Sequence, residues 1–323
     1  MAKRFFANSS FWNQPIGNDP EIDPRSSEFI ELLAGEPNGP FGINIERWTV
    51  PVYEVSSSTP RVRVARRAYS DEEILAAHDK WIGVGHRFAH AAEFDVRGVP
   101  IPDYAQPDPA GDAHMAVVDW SRMQAWDMWA VKKNPDGSFA SNTGVTYRLD
   151  GPGVFKTSDF QVKDGESIHF YGPSRAAGVP ALAGLIMLDE VAEGHLRHKL
   201  ACATRFNAYK EFVFPACWTD GHRDGGLPEG AVIQLDPGLD LSQFKLTAGE
   251  RVVARAFQTY GAVNVDNAGG NSLYAESLMS KPGKNWNGIL TATGLMAIPM
   301  KHYRVLKLGE IIHMGDSRRS SKG

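Results

Sequence analysis

The sequence predicts an all-β protein, a two-sheet β-sandwich of jelly-roll type with two or three peripheral helices. Apolar and polar residues alternate in short runs along most of the chain, which is the pattern of half-buried strands. The 32 glycines and 20 prolines punctuate those runs with turns. Helical periodicity is confined to scattered segments, too few to supply the crossovers of a parallel βαβ sheet. No internal repeat or linker divides the 323 residues, so the expectation is one domain over 1–323 with an N-terminal arm (1–25) and a disordered tail (315–323).

Along the chain, residues 5–25 are polar and proline-containing, with Phe11 and Trp12 as the pins of an extended arm. Ser26–Ala34 is a short helix, capped by Ser26 or Ser27, with Phe29, Ile30, Leu32 and Leu33 on its apolar side. Trp48–Val55 and Arg61–Arg67 are strands split by SSSTP. Ser70 and Glu73 form a capping box that opens another helix, followed by a long irregular segment over His86–Ala113. Met115–Trp120, Ala125–Lys132 and Gly144–Leu149 are strands, and Gly151–Gly178 is mostly loop.

Leu196–Thr204 and Glu211–Cys217 read as a hairpin turning near Tyr209, which would place Cys202 opposite Cys217 as a disulfide or as two buried thiols. Ala231–Leu235, Ala262–Asp266 and Ser272–Glu276 are further strands. Thr247–Tyr260 is the best helix, with a Thr247/Glu250 capping box and Gly261 as its stop.

Composition narrows the function classes. A net charge of −4 leaves no basic footprint for nucleic acid. No stretch of eighteen apolar residues spans a membrane. Asn8-Ser-Ser follows Phe5-Phe6 at once, so the opening lacks the apolar stretch of a leader. Phosphate-binding glycine loops, the G-x-S-x-G elbow, HEXXH and C-x-x-C are all missing.

What remains is carboxylates and histidines at strand ends. Asp112 and His114 are two residues apart at a loop-to-strand boundary, where the acid could orient the imidazole. Asp127 lies in Trp126-Asp127-Met128-Trp129, and is expected on the face opposite the two tryptophans. His198 shares a strand face with Leu196, Leu200 and Cys202. Asp220, His222 and Asp224 form the densest Asp/His cluster, which suits a metal, a sugar, or a plain turn, and calcium is the one ion the sequence leaves open for the protein without placing it. Asp266 and Glu276 end two neighbouring short strands, and two carboxylates across a cleft are the minimum for glycoside hydrolysis. Each of these groups also has an ordinary structural reading as a cap, turn or core residue.

Eight tryptophans are spread among acids and amides, and aromatic faces beside polar groups suit sugar rings. The segments FANSSFWNQPI, DAHMAVVDW, AWDMW, SRAAGVPALAGLI, HLRHKLACA, YGAVNVDN and LYAE resemble a group of secreted bacterial β-rich proteins associated with polysaccharide breakdown. The resemblance covers most of the chain. It implies an extracellular protein with a polysaccharide or oligosaccharide partner.

The leading expectation is therefore a glycoside hydrolase without a cofactor. Its catalytic carboxylates come from Asp127, Asp220, Asp266 and Glu276, with His114 and His198 moving protons. Asp112, Trp126, Trp129, Trp218, His222 and Arg175 would bind substrate. A polysaccharide lyase is the alternative, with a His or Tyr base and Arg175, Arg197 or Lys199 against a uronate. A non-catalytic glycan-binding module or a phage or surface structural protein is the other.

Overall fold

The computed structural model describes residues 2–35, 39–66, 94, 97–156, 161–164, 167–170 and 175–314, with backbone only for the two short strands between 161 and 170. The Ser70 capping box and the tail lie outside the described residues.

The chain is β-rich, as expected. Six strands form the larger sheet, in the order Gly42–Asn44, Ser272–Tyr274, Leu200–Thr204, Ala262–Asn267, Val232–Leu235, Tyr303–Val305. Five form the next, in the order Thr143–Arg148, Gln124–Trp129, Met115–Asp119, Val50–Glu54, Glu276–Ser277. Four smaller sheets take the remaining described strands. The strands are thus distributed over more than the two sheets of a jelly roll. Several pairs are parallel, among them Val50–Glu54 with Met115–Asp119 and Leu200–Thr204 with Ala262–Asn267. The segment 42–54 and the segment 272–277 each run from the first sheet into the second, paired in parallel at Gly42 with Ser272 and at Val50 with Glu276.

Alternation assigns the strand faces to different cores. Ala201, Ala203, Val263 and Val265 from the six-stranded sheet share a core with Val50, Val52, Ala116 and Ala125 from the five-stranded one. Leu200, Cys202, Ala262 and Leu273 pack on the other side against helices Ser26–Ala34 and Ala248–Thr259. Met115, Val117, Trp126 and Met128 cover the far face of the five-stranded sheet.

Local chemistry explains the helices. Thr247 accepts from the Glu250 backbone while the Glu250 side chain accepts from the Thr247 backbone, the reciprocal cap the sequence announces. Ser26 does not cap its helix: Arg25 holds the N-cap position, and the Ser26 hydroxyl accepts from the Val305 N–H instead. The expected hairpin is also replaced. Leu200–Thr204 pairs with strands more than sixty residues later in sequence, while Asn207–Phe212 pairs with Leu227–Glu229 and Ile312–His313. Cys202 and Cys217 are accordingly separate buried thiols, donating to the carbonyls of Val263 and Gly178.

The arm is less extended than expected. Phe11–Asn13 is a 3₁₀ turn, and Phe5, Phe6 and Trp12 are buried in the shared core. The Trp12 indole donates to the Gly153 carbonyl at 2.7 Å.

Candidate functional site

Four acids, Asp220, Glu229, Asp266 and Asp112, act on one another where the two large sheets adjoin, and Asp127 joins them through Arg175. Asp220 and Glu229 come from the segments flanking strand Asn207–Phe212, and Asp266 from the end of Ala262–Asn267. Asp112 precedes strand Met115–Asp119, and Asp127 lies within Gln124–Trp129. Glycines let the first two approach. A Cβ on Gly221 would fall 1.9 Å from the Ala208 carbonyl oxygen, and one on Gly230 1.8 Å from that of Val213. Gly230 is also left-handed at φ 91°, and its N–H donates to the Asn264 carbonyl at 2.8 Å.

Glu229 is fully buried and in side-chain hydrogen-bond contact with Asp220. Two carboxyls in contact cannot both be ionised, so a proton lies between them. Asn207 fixes Glu229 from behind, donating to its Oε1 at 3.0 Å and to the Asp266 carbonyl at 2.8 Å. Asn207 is itself held, because its Oδ1 accepts from Thr204 and from Asn264 at 3.0 Å. Asn267 donates to the Asp220 carboxylate from the front.

Burial and the neighbouring charge of Asp220 and then Asp266 push Glu229 well above the ordinary carboxyl range. Burial raises Asp220 too, but the hydrogen bonds from Glu229 and Asn267 pull it back. Asp266 is driven well up by burial and by the charges of Asp220 and Asp112, which outweigh Arg175 and the Tyr274 hydrogen bond. Asp220 and Asp266 each keep some solvent exposure although protein surrounds them.

The second half of the site hangs on Arg175. Ala177 donates to Val265 and accepts from Cys217, which docks the loop that carries Arg175 against Asp266. The guanidinium sits 4.1 Å from the Tyr274 ring centroid, and Tyr274 donates to Asp266 Oδ2 at 3.3 Å. Arg175 is fully buried. One nitrogen, Nη2, donates to the Ala181 carbonyl at 3.0 Å, while Nε and Nη1 have no hydrogen-bond partner among the described residues. Tyr147 donates to Asp127 Oδ1 at 2.8 Å, and the Ala181 N–H donates to the other oxygen. Burial and the adjacent carboxylates raise both tyrosines well above their ordinary pKa, so both are phenols at neutral pH.

Several sequence-predicted residues sit elsewhere or act otherwise. Trp126 and Trp129 do not share a face: three positions apart, they point oppositely, so Trp126 is buried with Met128 while half-exposed Trp129 shares the face of Asp127. The Trp129 indole donates to Asp112 Oδ1 at 3.4 Å. Ala113, left-handed at φ 42°, breaks the alternation between half-exposed Asp112 and buried His114. Trp218 is buried in the shared core, whereas His222 is exposed beside Asp220 and lowers its pKa.

His198 does not belong with the acids. Its Nδ1 faces the Lys199 carbonyl at 2.7 Å and its Nε2 the Glu190 carboxylate at 3.0 Å, two acceptors that hold it as imidazolium. It borders a cavity of about 10 Å³ with Phe5, Trp12 and Asn13, room for about one water. Glu276 is likewise apart, buried beneath helix Leu188–Ala192, where it accepts from the Leu188 N–H at 2.6 Å and from Lys281 at 2.9 Å. Arg197 and Lys199 fasten the arm, donating to the carbonyls of Ala2 and Gln14.

Glu229, Tyr274 and Tyr147 are the members that sequence reasoning missed. The one signal for Glu229 was a carboxylate before glycine in an otherwise apolar stretch. Among the described residues no group of three or more His, Cys, Asp or Glu is disposed to hold a metal ion. No helix among them is long and apolar enough to cross a membrane. Comparison with family models, curated proteins and solved structures finds no match, so a functional reading rests on the geometry of this site.

Proposed function

We propose that the protein is a polysaccharide-cleaving enzyme, a glycoside hydrolase with Asp266 as proton donor and Asp220 as the working carboxylate. The observation that carries this is the pair's unequal environments: burial raises both acids, Asp266 well above the ordinary carboxyl range, whereas hydrogen bonds from Glu229 and Asn267 and the charge of His222 hold down the rise of Asp220. Asp266 is then the stronger proton holder of the two and Asp220 the first to ionise, the division of labour that protonation of a leaving oxygen and stabilisation of an oxocarbenium-like centre require. Glu229 holds the shared proton against Asp220. Tyr274, backed by the Arg175 cation, orients Asp266. Half-exposed Trp129 beside Asp112 offers a face for a sugar ring.

The lyase reading is weaker. It needs a base and an exposed cation, whereas both tyrosines are held as phenols, His198 is already paired, and Arg175 is buried. The substrate is a polysaccharide or oligosaccharide, and an extracellular location fits such a substrate.

The test is to incubate the protein with a broad panel of soluble glycans and measure new reducing ends. Activity abolished by Asp266→Asn and Asp220→Asn supports the hydrolase. Ultraviolet absorbance from an unsaturated uronate product would instead establish a lyase. Binding without turnover would leave a glycan-binding module, and neither binding nor turnover would end the carbohydrate reading.

A further inference from the structure

Trp48 lies between Gly42–Asn44 and Val50–Glu54, where the chain passes from one large sheet to the other. Its side chain is 44% exposed, unusual for the largest apolar residue. Its backbone is left-handed at φ 58°, a conformation that strains a non-glycine residue and persists only where the surroundings enforce it. The enforcement is visible. Asp108, itself buried, accepts from the N–H groups of Trp48 at 3.1 Å, Thr49 at 3.1 Å and Ala110 at 2.9 Å. Asn44 donates to the Trp48 carbonyl at 3.2 Å. A buried carboxylate thus fixes a tryptophan in a strained conformation that leaves its ring in water.

The ring rests against Gly111, 3.5 Å from where a Cβ would stand there. The next residue is Asp112, whose charge acts on Asp266 and Tyr274 and whose carboxylate accepts from Trp129. Ala113 and Ala130 around it are left-handed as well, at φ 42° and 52°, with the Ala130 N–H donating to the Asp112 carbonyl. Two tryptophans that keep solvent exposure therefore meet the 111–112 segment, Trp48 at Gly111 and Trp129 at Asp112.

We infer that Trp48 is a sugar-stacking platform, a binding subsite for a pyranose or furanose ring of the chain being cleaved, joined to the Asp220/Asp266 pair through the Gly111–Asp112 segment. This rests on the hydrolase reading and extends it: the substrate is a chain long enough to occupy Trp129 and Trp48 together. An exposed indole face pairs with the C–H face of a sugar, and the Asp112 carboxylate accepts from its hydroxyls. Fixing the ring in advance removes the ordering cost of binding.

The test uses Trp48→Phe, Trp48→Ala and Trp48→Gly in the full chain, assayed on the longest and the shortest oligosaccharides that the wild type cleaves. Trp48→Ala and Trp48→Gly should raise KM on the long substrate about 3- to 10-fold and leave kcat and the short substrate unchanged. Trp48→Phe should retain most of the affinity. Glycine accepts the left-handed backbone, so Trp48→Gly should melt at or above the wild-type temperature while binding more weakly, which a merely structural tryptophan would not do. Unchanged KM on the long substrate, or equal losses on short and long, overturns the subsite. If the wild type cleaves no glycan of the panel, the hydrolase reading falls separately. Trp48 is then judged by retardation in native gels cast with the same soluble glycans. Retarded wild type with unretarded Trp48→Gly keeps the platform, and equal migration overturns it.

Discussion

The Glu229 carboxyl lies in hydrogen-bond contact with that of Asp220, with Glu229 wholly buried and Asp220 still reached by solvent. This makes Glu229 a positioning residue: as a neutral acid it donates to Asp220 and keeps it ionised at lower pH. Glu229→Ala removes that donor and leaves the Asn207 amide facing a hole. The acid limb of the kcat profile should move to higher pH, with a stability loss of about 1–3 kcal/mol. Glu229→Gln retains a donor and should restore the limb towards wild type. A pH–rate profile of the three proteins checks this, and identical acid limbs would sink the assignment.

The raised acids also set how stability depends on pH. A carboxyl whose folded pKa lies above its unfolded value binds its proton more tightly in the folded state. Its burial is then harmless below the unfolded pKa of about 4 and costs increasingly as pH rises through the folded value. Asp266 is such a group. Asp266→Asn should therefore melt close to wild type near pH 4 and above it near pH 8, each kcal/mol appearing as about 2–4 °C. Thermal melts across that range decide it; a variant destabilised at pH 8 would contradict the desolvation account.

Much of this fold is legible in short-range pattern, and its failures are failures of distance. The capping box of Thr247 and Glu250, and the strands around Val117 and Val263, follow from periodicity because they depend on neighbours in sequence. The partner of Leu200–Thr204 is a strand beginning at Ala262, and nothing local distinguishes it from the nearer Asn207–Phe212. Asp220 stood out as part of an Asp/His cluster and Asp266 as a strand-end acid, whereas Glu229 becomes meaningful only once Gly221 and Gly230 bring two loops onto one strand. His198 and Glu276 look chemical in sequence because charge amid apolar residues suggests function. Their partners, Glu190 and Lys281, show instead how a core satisfies a buried charge.

Glu276 is accordingly expected to matter for folding and not for turnover. Its Oε1 serves both the Leu188 N–H and the Lys281 ammonium, at 2.6 and 2.9 Å. Glu276→Gln weakens both and should cost about 1–3 kcal/mol, while kcat of the folded protein stays within roughly twofold. Urea denaturation beside steady-state kinetics separates the two effects. A kcat loss comparable to that of Asp266→Asn would return Glu276 to the catalytic set.

His198 supplies the opposite pH signature. Burial opposes its charge, but Glu190 and the Lys199 carbonyl outweigh that and raise its pKa. A raised histidine contributes stability that is fully present below the unfolded value near 6.5 and is lost as pH climbs through the folded one. His198→Gln leaves Glu190 buried without its cation, a change worth about 3–5 kcal/mol when a buried pair is broken. The melting difference between wild type and His198→Gln should be largest at pH 5–6 and shrink on the alkaline side. Because His198 faces the arm beside Trp12, away from Asp220 and Asp266, kcat at temperatures where the variant is folded should not change. A difference that grows with pH would mean that the imidazole is neutral and the ion-pair account of His198 is wrong.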